Sequence, residues 1–217
     1  MNSLMSPNVV EVLERLFTAA EESETALEEL AQSEASRLIT SKSGYRQFYG
    51  LMKDIPLPVS RETGSLLYML TRSTRAQSIL EFGTSYGVST IYLAAALRDN
   101  GGGRVITTEF ESSKVARARQ HITEAGLMDF VEIREGDALQ TLARDLPERL
   151  DLVLLDGAKA LYTEILERVD QRLHPGSLVI ADDTHRCPDY LQSVRTEAHK
   201  YLSVPLAGDV ELSMRLS

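Results

Sequence analysis

Short apolar runs alternate with helical stretches over most of the chain. The apolar runs are predicted to be buried strands, and they end at or near a glycine or an acid. They cover 79–82, 104–110, 131–134, 150–157 and 178–183. Helical spacing follows from about Gly87 to Leu97, from 114 to 125 with Ser112 and Ser113 as the N-cap, and again from Ala158. Strands that alternate with helices predict an α/β domain built on a doubly wound parallel sheet.

The first quarter of the chain has a different pattern. Three helical stretches follow Pro7, the middle one strongly acidic, and Gly44 precedes the third. This predicts a helical extension over 1–55 and an α/β domain over 56–217, with Ser60 capping the helix that follows the link. The simplest interpretation is that the three helices pack on the sheet. The third carries four large apolar side chains, which we expect in a core or an interface rather than around a substrate: Tyr45, Phe48, Tyr49 and Met52.

A glycine turn follows the first predicted strand. Gly83 and Gly87 are separated by three residues, and Glu81 comes two residues before the first glycine. A strand, a turn and a helix N-terminus form a common ligand-binding arrangement, but this spacing differs from that of dinucleotide-binding turns. The carboxylate of Glu81 would repel a pyrophosphate and attract an ammonium group, such as that of S-adenosylmethionine. A tight turn without any ligand is the alternative.

Acids also end the next two strands. Glu109 ends the second strand, where α/β nucleotide-binding proteins accept hydrogen bonds from ribose hydroxyls. Asp137, next to Ala138, follows the third strand and could accept from an adenine amino group. The alternative for Glu109 is a solvated side chain, and the alternative for Asp137 is a helix N-cap. For Asp137 both roles are compatible.

Three aspartates come at the ends of the fourth and fifth strands. Asp156, Asp182 and Asp183 should meet at the carboxyl edge of the sheet, where they repel one another unless protons or a cation compensate. A divalent cation with oxygen ligands fits, most simply magnesium, with calcium or manganese as alternatives. Asp183 could instead cap the next helix and point away. Lys159 opens a helix one turn after Asp156, a place where a merely solvated cation is electrostatically unfavourable.

Composition limits the possible functions. The chain has 217 residues, 43% of them hydrophobic, and a net charge of −9, which argues against a nucleic-acid surface. The stretch from Lys114 to Arg119 is basic, but it alternates with apolar residues and is expected to be a solvated helix face. A single cysteine, Cys187, excludes an intrachain disulfide framework. No secretion signal or membrane-spanning run is recognisable, so we expect a cytoplasmic protein.

Several of these motifs occur together in the order of a known family. From Pro56 to Ser217 the chain resembles the class I methyltransferases, and within them the divalent-metal-dependent O-methyltransferases of the catechol and caffeoyl-CoA type. The resemblance is carried by the segments 81–89, 136–138, 155–162 and 181–183, by Glu109, and by a C-terminal stretch, 204–215, that is similar to the closing hairpin of the family. It implies seven strands in the order 3-2-1-4-5-7-6, with the last strand antiparallel.

The resemblance also implies roles for individual residues. It makes S-adenosylmethionine and a divalent cation the cofactors, Lys159 the general base beside Asp156, and Asp156, Asp182 and Asp183 the metal ligands. Asp183 is a departure, because the family usually has asparagine at this position. The implied cofactor site comprises Val59, Glu81, Gly83, Ser85, Gly87, Ser89, Glu109, Asp137, Ala138 and Asp156.

The expected activity is S-adenosylmethionine-dependent O-methylation of a small phenolic or catechol-like acceptor, assisted by a metal. The N-terminal helices would then form a lid over the acceptor or a contact in a homodimer, with no nucleic acid or membrane as partner. A metal at the carboxylates would lower the pKa of a catechol hydroxyl, and a desolvated Lys159 would have a lowered pKa and take up the proton. The alternatives are a metal-independent methyltransferase, a nicotinamide-dependent oxidoreductase and a non-catalytic binding module.

Overall fold

A computed structural model describes residues 2–206 and 209–217. Seven strands form one sheet in the order β3-β2-β1-β4-β5-β7-β6. The first five are parallel, and β7 runs antiparallel to both of its neighbours. The fold class, the strand order and the antiparallel last strand are therefore as predicted. The strands are β1 Ser78–Phe82, β2 Arg104–Glu109, β3 Val131–Glu135, β4 Leu150–Leu155, β5 Leu173–Ala181, β6 Tyr201–Pro205 and β7 Glu211–Arg215.

Helices cover both faces of the sheet, because side chains alternate along each strand. Ile79, Leu152 and Leu154 face one hydrophobic core, whereas Leu80 and Val153 face the other. Both cores lie between the sheet and amphipathic helices. The α-helices of the described residues are α1 Pro7–Glu22, α2 Glu24–Gln32, α3 Tyr45–Leu51, α4 Arg61–Thr74, α5 Val88–Asp99, α6 Ser112–Glu124, α7 Ala138–Thr141, α8 Tyr162–Val169 and α9 Pro188–Thr196.

The N-terminal helices differ in how they pack. α1 places Val9 and Leu16, among other residues, in the same core as β1 and β4. α3 places Tyr45 in the core on the opposite face. By contrast, α2 buries no residue, and a 3₁₀ helix over Glu34–Leu38 follows it. α1 and the sheet share one core, so packing does not mark a boundary between residues 55 and 56. The division into two domains remains a prediction.

Local details agree with the sequence in part. Ser60 caps α4 by accepting a hydrogen bond from the Thr63 amide, as predicted. The predicted serine cap of α6 is wrong: Glu111 caps this helix, and its carboxylate accepts from the Ser113 amide. A carboxylate suits this position because four N–H groups are unpaired at a helix N-terminus. In the closing hairpin, Ala207 and Gly208 lie outside the described residues.

The fifth strand starts earlier than predicted. β5 includes the 174–176 turn, and its pairing with β4 shifts register between Leu150 and Leu152. The Ser177 hydroxyl donates to the Leu150 carbonyl at 2.7 Å and accepts from the His174 amide at 2.9 Å. The Ser177 side chain thus links the backbones of β4 and β5 at the register shift, and β5 continues through it.

Candidate active site

A cavity of about 760 Å³ opens at the carboxyl ends of the parallel strands. The sheet register brings the strand ends together: the Asp156 amide donates to the Phe82 carbonyl at 2.9 Å, and the Asp182 amide donates to Leu155 at 3.0 Å. Of the predicted site residues, those in the cavity wall are Gly83, Ser85, Glu109, Asp137, Ala138, Asp156, Lys159, Asp182 and Asp183. The sequence therefore predicted the part of the wall that lies at and just beyond the strand ends.

The glycine turn and Glu109 form one hydrogen-bonded unit. Gly83 has a φ of +107°, and a Cβ atom there would lie 2.5 Å from the Asp156 carbonyl oxygen, so only glycine fits. The Glu109 carboxylate accepts from the Ser85 amide at 2.9 Å and from the amides of Phe110 and Glu111 at 3.0 Å. Glu109 is 9% exposed, so the solvated alternative is wrong. Its carboxylate thus connects the loop after β1 to the residues that follow β2.

Glu81 lies behind the cavity wall rather than in it. The residue is fully buried, and one carboxylate oxygen accepts from the Thr90 hydroxyl. Burial raises the pKa of Glu81, and hydrogen bonds from Ser89, Thr107 and Thr90 oppose this increase. The other carboxylate oxygen has no partner among the described residues. Val59, Gly87 and Ser89 likewise lie outside the wall that the described residues form.

Asp137 connects the third strand to the N-terminal extension. Its carboxylate accepts from the Leu139 amide at 3.0 Å, which confirms the predicted N-cap of α7. The Arg46 guanidinium, on α3, donates to the same carboxylate at 2.6 Å. Near this pair, the Tyr45 ring meets Phe110 edge-on, with centroids 6.4 Å apart. α3 therefore lies against the strand ends that were predicted to hold a nucleoside.

A lysine ammonium lies among the aspartates. The Lys159 Nζ is 3.3 Å from a carboxylate oxygen of Asp156 and 3.3 Å from one of Asp183. It also donates to the Tyr162 hydroxyl at 2.8 Å and to the Asp182 carbonyl at 3.4 Å. The Asp183 side chain caps no helix, so that alternative is wrong. In this structure the Lys159 ammonium supplies one positive charge among these acids, and the divalent cation stays a prediction.

The charges of this cluster change its protonation. Burial works to lower the pKa of Lys159, but the oxygens of Tyr162, Asp156, Tyr49 and Asp183 outweigh it, so the pKa is well above its ordinary value. The acids thus outweigh desolvation in the unliganded protein, whereas the expected lowering of this pKa beside a bound metal stays a prediction. Burial, with the charges of Asp182 and Asp183, raises the pKa of Asp156 to about 8. Protons and Lys159 thus both relieve the repulsion.

A second group of potential metal ligands shares Asp183. Within the described residues, atoms of Asp183, His185 and Asp209 all lie within 4.8 Å of one another. His185 Nδ1 is 3.3 Å from the Asp209 carboxylate. Asp183 therefore belongs to two groups of potential metal ligands: the three predicted aspartates, and the group with His185 and Asp209.

Several residues in the cavity wall were not predicted as site residues. Lys114 was expected on a solvated face, but it is 3% exposed, and its Nζ lies 3.4 Å from the Ser85 hydroxyl. Burial lowers the pKa of Lys114, although Glu109 and Glu111 oppose this. Tyr49, on α3, donates to the Gly157 carbonyl at 3.4 Å, and burial raises its pKa to about 12. No sequence motif marks these residues, because α6 and α3 reach the cavity only through tertiary packing.

Comparisons with known proteins show similarity to methyltransferases. A family model described as a methyltransferase domain matches residues 80–184. A catechol O-methyltransferase of Niastella koreensis is 36% identical over 144 residues, which is 65% of this chain and 64% of that protein. The O-methyltransferase TomG of Streptomyces achromogenes, solved in complex with SAM, is 26% identical with a TM-score of 0.66, covering 86% of this chain and 91% of that one. In sequence and in fold, the chain is similar to class I methyltransferases.

The predicted resemblance to O-methyltransferases of the catechol and caffeoyl-CoA type is also confirmed. A second catechol O-methyltransferase, from Mycobacterium tuberculosis, is 32% identical over 60% of this chain and 58% of that protein. The chain thus spans less than two thirds of the length of these two curated relatives. Within residues 2–206 and 209–217, the chain has no helix with the length and apolar character needed to cross a membrane.

Proposed function

We propose that this chain transfers the methyl group of S-adenosylmethionine to a hydroxyl of a small phenolic or catechol-like acceptor. The observation that carries the proposal is the position of Lys159, a buried amine in the cavity wall beside Asp156 and Asp183. A proton acceptor is needed there because a phenol must lose its proton before its oxygen attacks a methyl group. The names of the curated relatives and the SAM complex of TomG support this choice of reaction.

The residues of the cavity fit the cofactor. Glu109 would accept hydrogen bonds from the ribose, and Asp137 and Ala138 would contact the adenine edge. The methionine end would lie near Gly83 and Ser85, with the carboxyl group of Glu81 behind them. The unpartnered oxygen of Glu81 supports this placement, since a buried carboxylate oxygen without a partner is costly and suits a cationic ligand. S-adenosylmethionine, when bound, supplies an electrophilic methyl group.

Lys159 and its neighbours would control the acceptor proton. In the unliganded protein the ammonium is stabilised by Asp156 and Asp183, so its proton must leave before the amine can act as a base. Any positive charge that enters the cavity competes for these carboxylates and lowers the pKa of Lys159. The Tyr162 hydroxyl, which donates to the Asp182 carbonyl at 2.9 Å, fixes the position of the amine. A cationic ligand in the cavity would therefore make Lys159 more available as a base.

A divalent cation also fits the donor set. Asp156, Asp182 and Asp183 would hold it through carboxylate oxygens. Burial raises the pKa of Asp156 and Asp182, so the cation would have to displace protons from these carboxyl groups. The cation would supply charge neutralisation and would acidify a chelated hydroxyl.

The lid or dimer role of the N-terminal helices and a cytoplasmic location remain predictions. The cavity contacts of α3 support the lid.

The proposed reaction is tested with a panel of acceptors. Purified protein is incubated with labelled S-adenosylmethionine and, in separate reactions, with a catechol, a simple phenol and a hydroxamate. We expect methylation of the catechol to be fastest, because two vicinal hydroxyls can meet Lys159 and the carboxylates together. Transfer to none of the three, by a protein shown to bind the cofactor, would contradict the phenolic acceptor.

The cofactor assignment predicts the effect of replacing Glu109. Glu109→Ala should weaken binding of S-adenosylmethionine by about 1.5–3 kcal/mol, roughly 10- to 150-fold in Kd, because it removes charge-assisted hydrogen bonds to the ribose. Isothermal titration calorimetry measures this change. Glu132→Ala, on the neighbouring strand with an exposed ion pair, is the control and should bind normally. Wild-type affinity in Glu109→Ala would remove the ribose assignment.

The metal assignment predicts the effect of a chelator. Magnesium should raise the melting temperature of the wild-type protein and speed methylation, because the cation binds the folded state and not the unfolded chain. Magnesium should change neither the melting temperature nor the methylation rate of Asp182→Ala. Asp183→Asn, which restores the usual residue of the family, should retain both effects of magnesium with weaker binding. Melts and rates that are insensitive both to EDTA and to Asp182→Ala would place the chain among metal-independent methyltransferases.

A further inference from the structure

We propose that a second pocket, remote from the cavity, binds a small oxyanion of the phosphate class. The pocket has a volume of about 150 Å³. We call it the arginine pocket, after three of its lining residues. It is formed by residues at the C-terminal ends of α7 and α8: Leu142, Ala143, Arg144, Leu146, Arg168, Gln171 and Arg172.

The three guanidinium groups of the arginine pocket have no carboxylate partner. Arg144, Arg168 and Arg172 form no ion pair with any of the residues that the structure describes. The chain has 32 acidic and 23 basic residues, so acids are abundant. Three arginines without an ion pair in the described part of the chain thus line one small pocket, and a bound anion would supply the negative charge that they lack.

The loop that carries Arg144 is held in place from behind. The Arg134 guanidinium donates to the carbonyls of Thr141 and Arg144, both at 3.0 Å, and to that of Asp145 at 2.7 Å. The Arg134 side chain is only 12% exposed. Asp145 has a φ of +55°, which completes the turn. Because these carbonyl oxygens are occupied by Arg134, their negative dipoles are partly neutralised next to the pocket. The loop is thus pre-organised, and an anion need not order it on binding.

Size and charge determine the class of ligand. The pocket is smaller than the roughly 300–1,000 Å³ of sites for drug-sized ligands, so it suits a single ion or the terminal group of a metabolite. Guanidinium groups bind phosphate oxygens in a fork geometry, and a multiply charged phosphate can engage three of them at once. A carboxylate has two oxygens and one charge and would leave part of the positive charge uncompensated. Inorganic phosphate and pyrophosphate are therefore the ligands to test.

The arginine pocket and the catalytic cavity lie at opposite ends of one helix. At the N-terminus of α8, Tyr162 contacts Lys159, whereas Arg168 in the last turn of α8 lines the arginine pocket. The two sites share no lining residue. Anion binding should therefore not compete with S-adenosylhomocysteine, the demethylated cofactor, which would occupy the cavity.

Calorimetric titration of the full chain with pyrophosphate and with phosphate tests this proposal. The buffer contains no divalent cation and has constant ionic strength, and acetate is the comparison anion. We expect saturable binding of pyrophosphate, weaker binding of phosphate and none of acetate. Arg144→Gln and Arg168→Gln should each weaken pyrophosphate binding by about tenfold or more, the usual cost of losing a charge-assisted hydrogen bond. Arg119→Gln removes an exposed arginine on α6 and should change nothing.

Three results would overturn the proposal. One is the absence of saturable binding to the wild-type chain. Another is an equal loss of affinity in Arg119→Gln, which would indicate a general charge effect. The third is loss of pyrophosphate binding when the cavity is saturated with S-adenosylhomocysteine, which would place the anion in the cavity. Arg144 and Arg168 are exposed, so the variants should fold, and thermal melts that match the wild type establish this.

Discussion

Lys159→Met should lower the turnover number by roughly 10²–10⁴-fold, the usual contribution of a general base. The unbranched methionine can occupy the space of the lysine stem, which is 4% exposed in the protein, but it removes the amine from Asp156 and Asp183. The acids can take up protons in compensation, since the pKa of Asp156 is already raised to about 8 by burial and by its acidic neighbours. We therefore expect a folded variant that binds S-adenosylmethionine but hardly turns over.

Initial methylation rates at saturating acceptor, together with calorimetric binding of the cofactor, separate these two effects. Lys53→Met is the matched control, because Lys53 is exposed and forms no ion pair among the residues that the structure describes. Its rate should equal that of the wild type. Near-normal turnover in Lys159→Met would show that the amine does not accept the proton, and would leave Lys159 as the counter-ion of the aspartates.

Gly83→Ala should lower the free energy of unfolding by about 2–4 kcal/mol and weaken cofactor binding. Two physical causes add. The φ of +107° is strained for any residue with a side chain, and the new Cβ would lie 2.5 Å from the Asp156 carbonyl oxygen. That oxygen belongs to the backbone, so it can move only if the ends of β1 and β4 separate. The turn and the cavity floor would then shift together.

Denaturant unfolding measures the stability change, and calorimetry measures the cofactor affinity. Gly50→Ala is the control, because Gly50 lies within α3 and an added Cβ meets no atom within 4 Å. It should be neutral or stabilising by up to about 1 kcal/mol, since alanine has the higher helix propensity. If Gly83→Ala were as stable as Gly50→Ala, the close approach of β1 and β4 at this turn would be relaxed in solution.

The positions of the acids at the strand ends could be predicted from the sequence for a simple reason. Parallel strands that are buried on both faces have apolar runs, and such runs stop where the chain leaves the sheet. Asp156 follows such a run and Glu109 ends the buried run of β2, whereas Asp137 follows β3, a half-exposed edge strand. All three meet at one edge because these strands are parallel. Asp137 also illustrates a local rule, because the residue before a helix is a common N-cap, and it caps α7 here.

Interactions between distant elements could not be predicted in this way. The pKa of Lys159 depends on carboxylates from two strands, and the sequence does not give the distances that decide whether burial or charge dominates. Lys114 has the spacing of a surface helix residue, yet α6 turns it into the cavity wall. The arginine pocket brings together residues from separate loops and helices that no periodicity connects.

The sequence by itself determined the alternation of strands and helices, the glycine turn and the acids at the strand ends, because these depend on periodicity and on bonds between near neighbours. Only the tertiary structure decided that acids surround Lys159 and raise its pKa, that Glu81 lies behind the wall and that α3 reaches the cavity through Arg46 and Asp137. Those outcomes depend on burial and on distances between segments far apart in the chain, and both are set when the helices pack against the sheet.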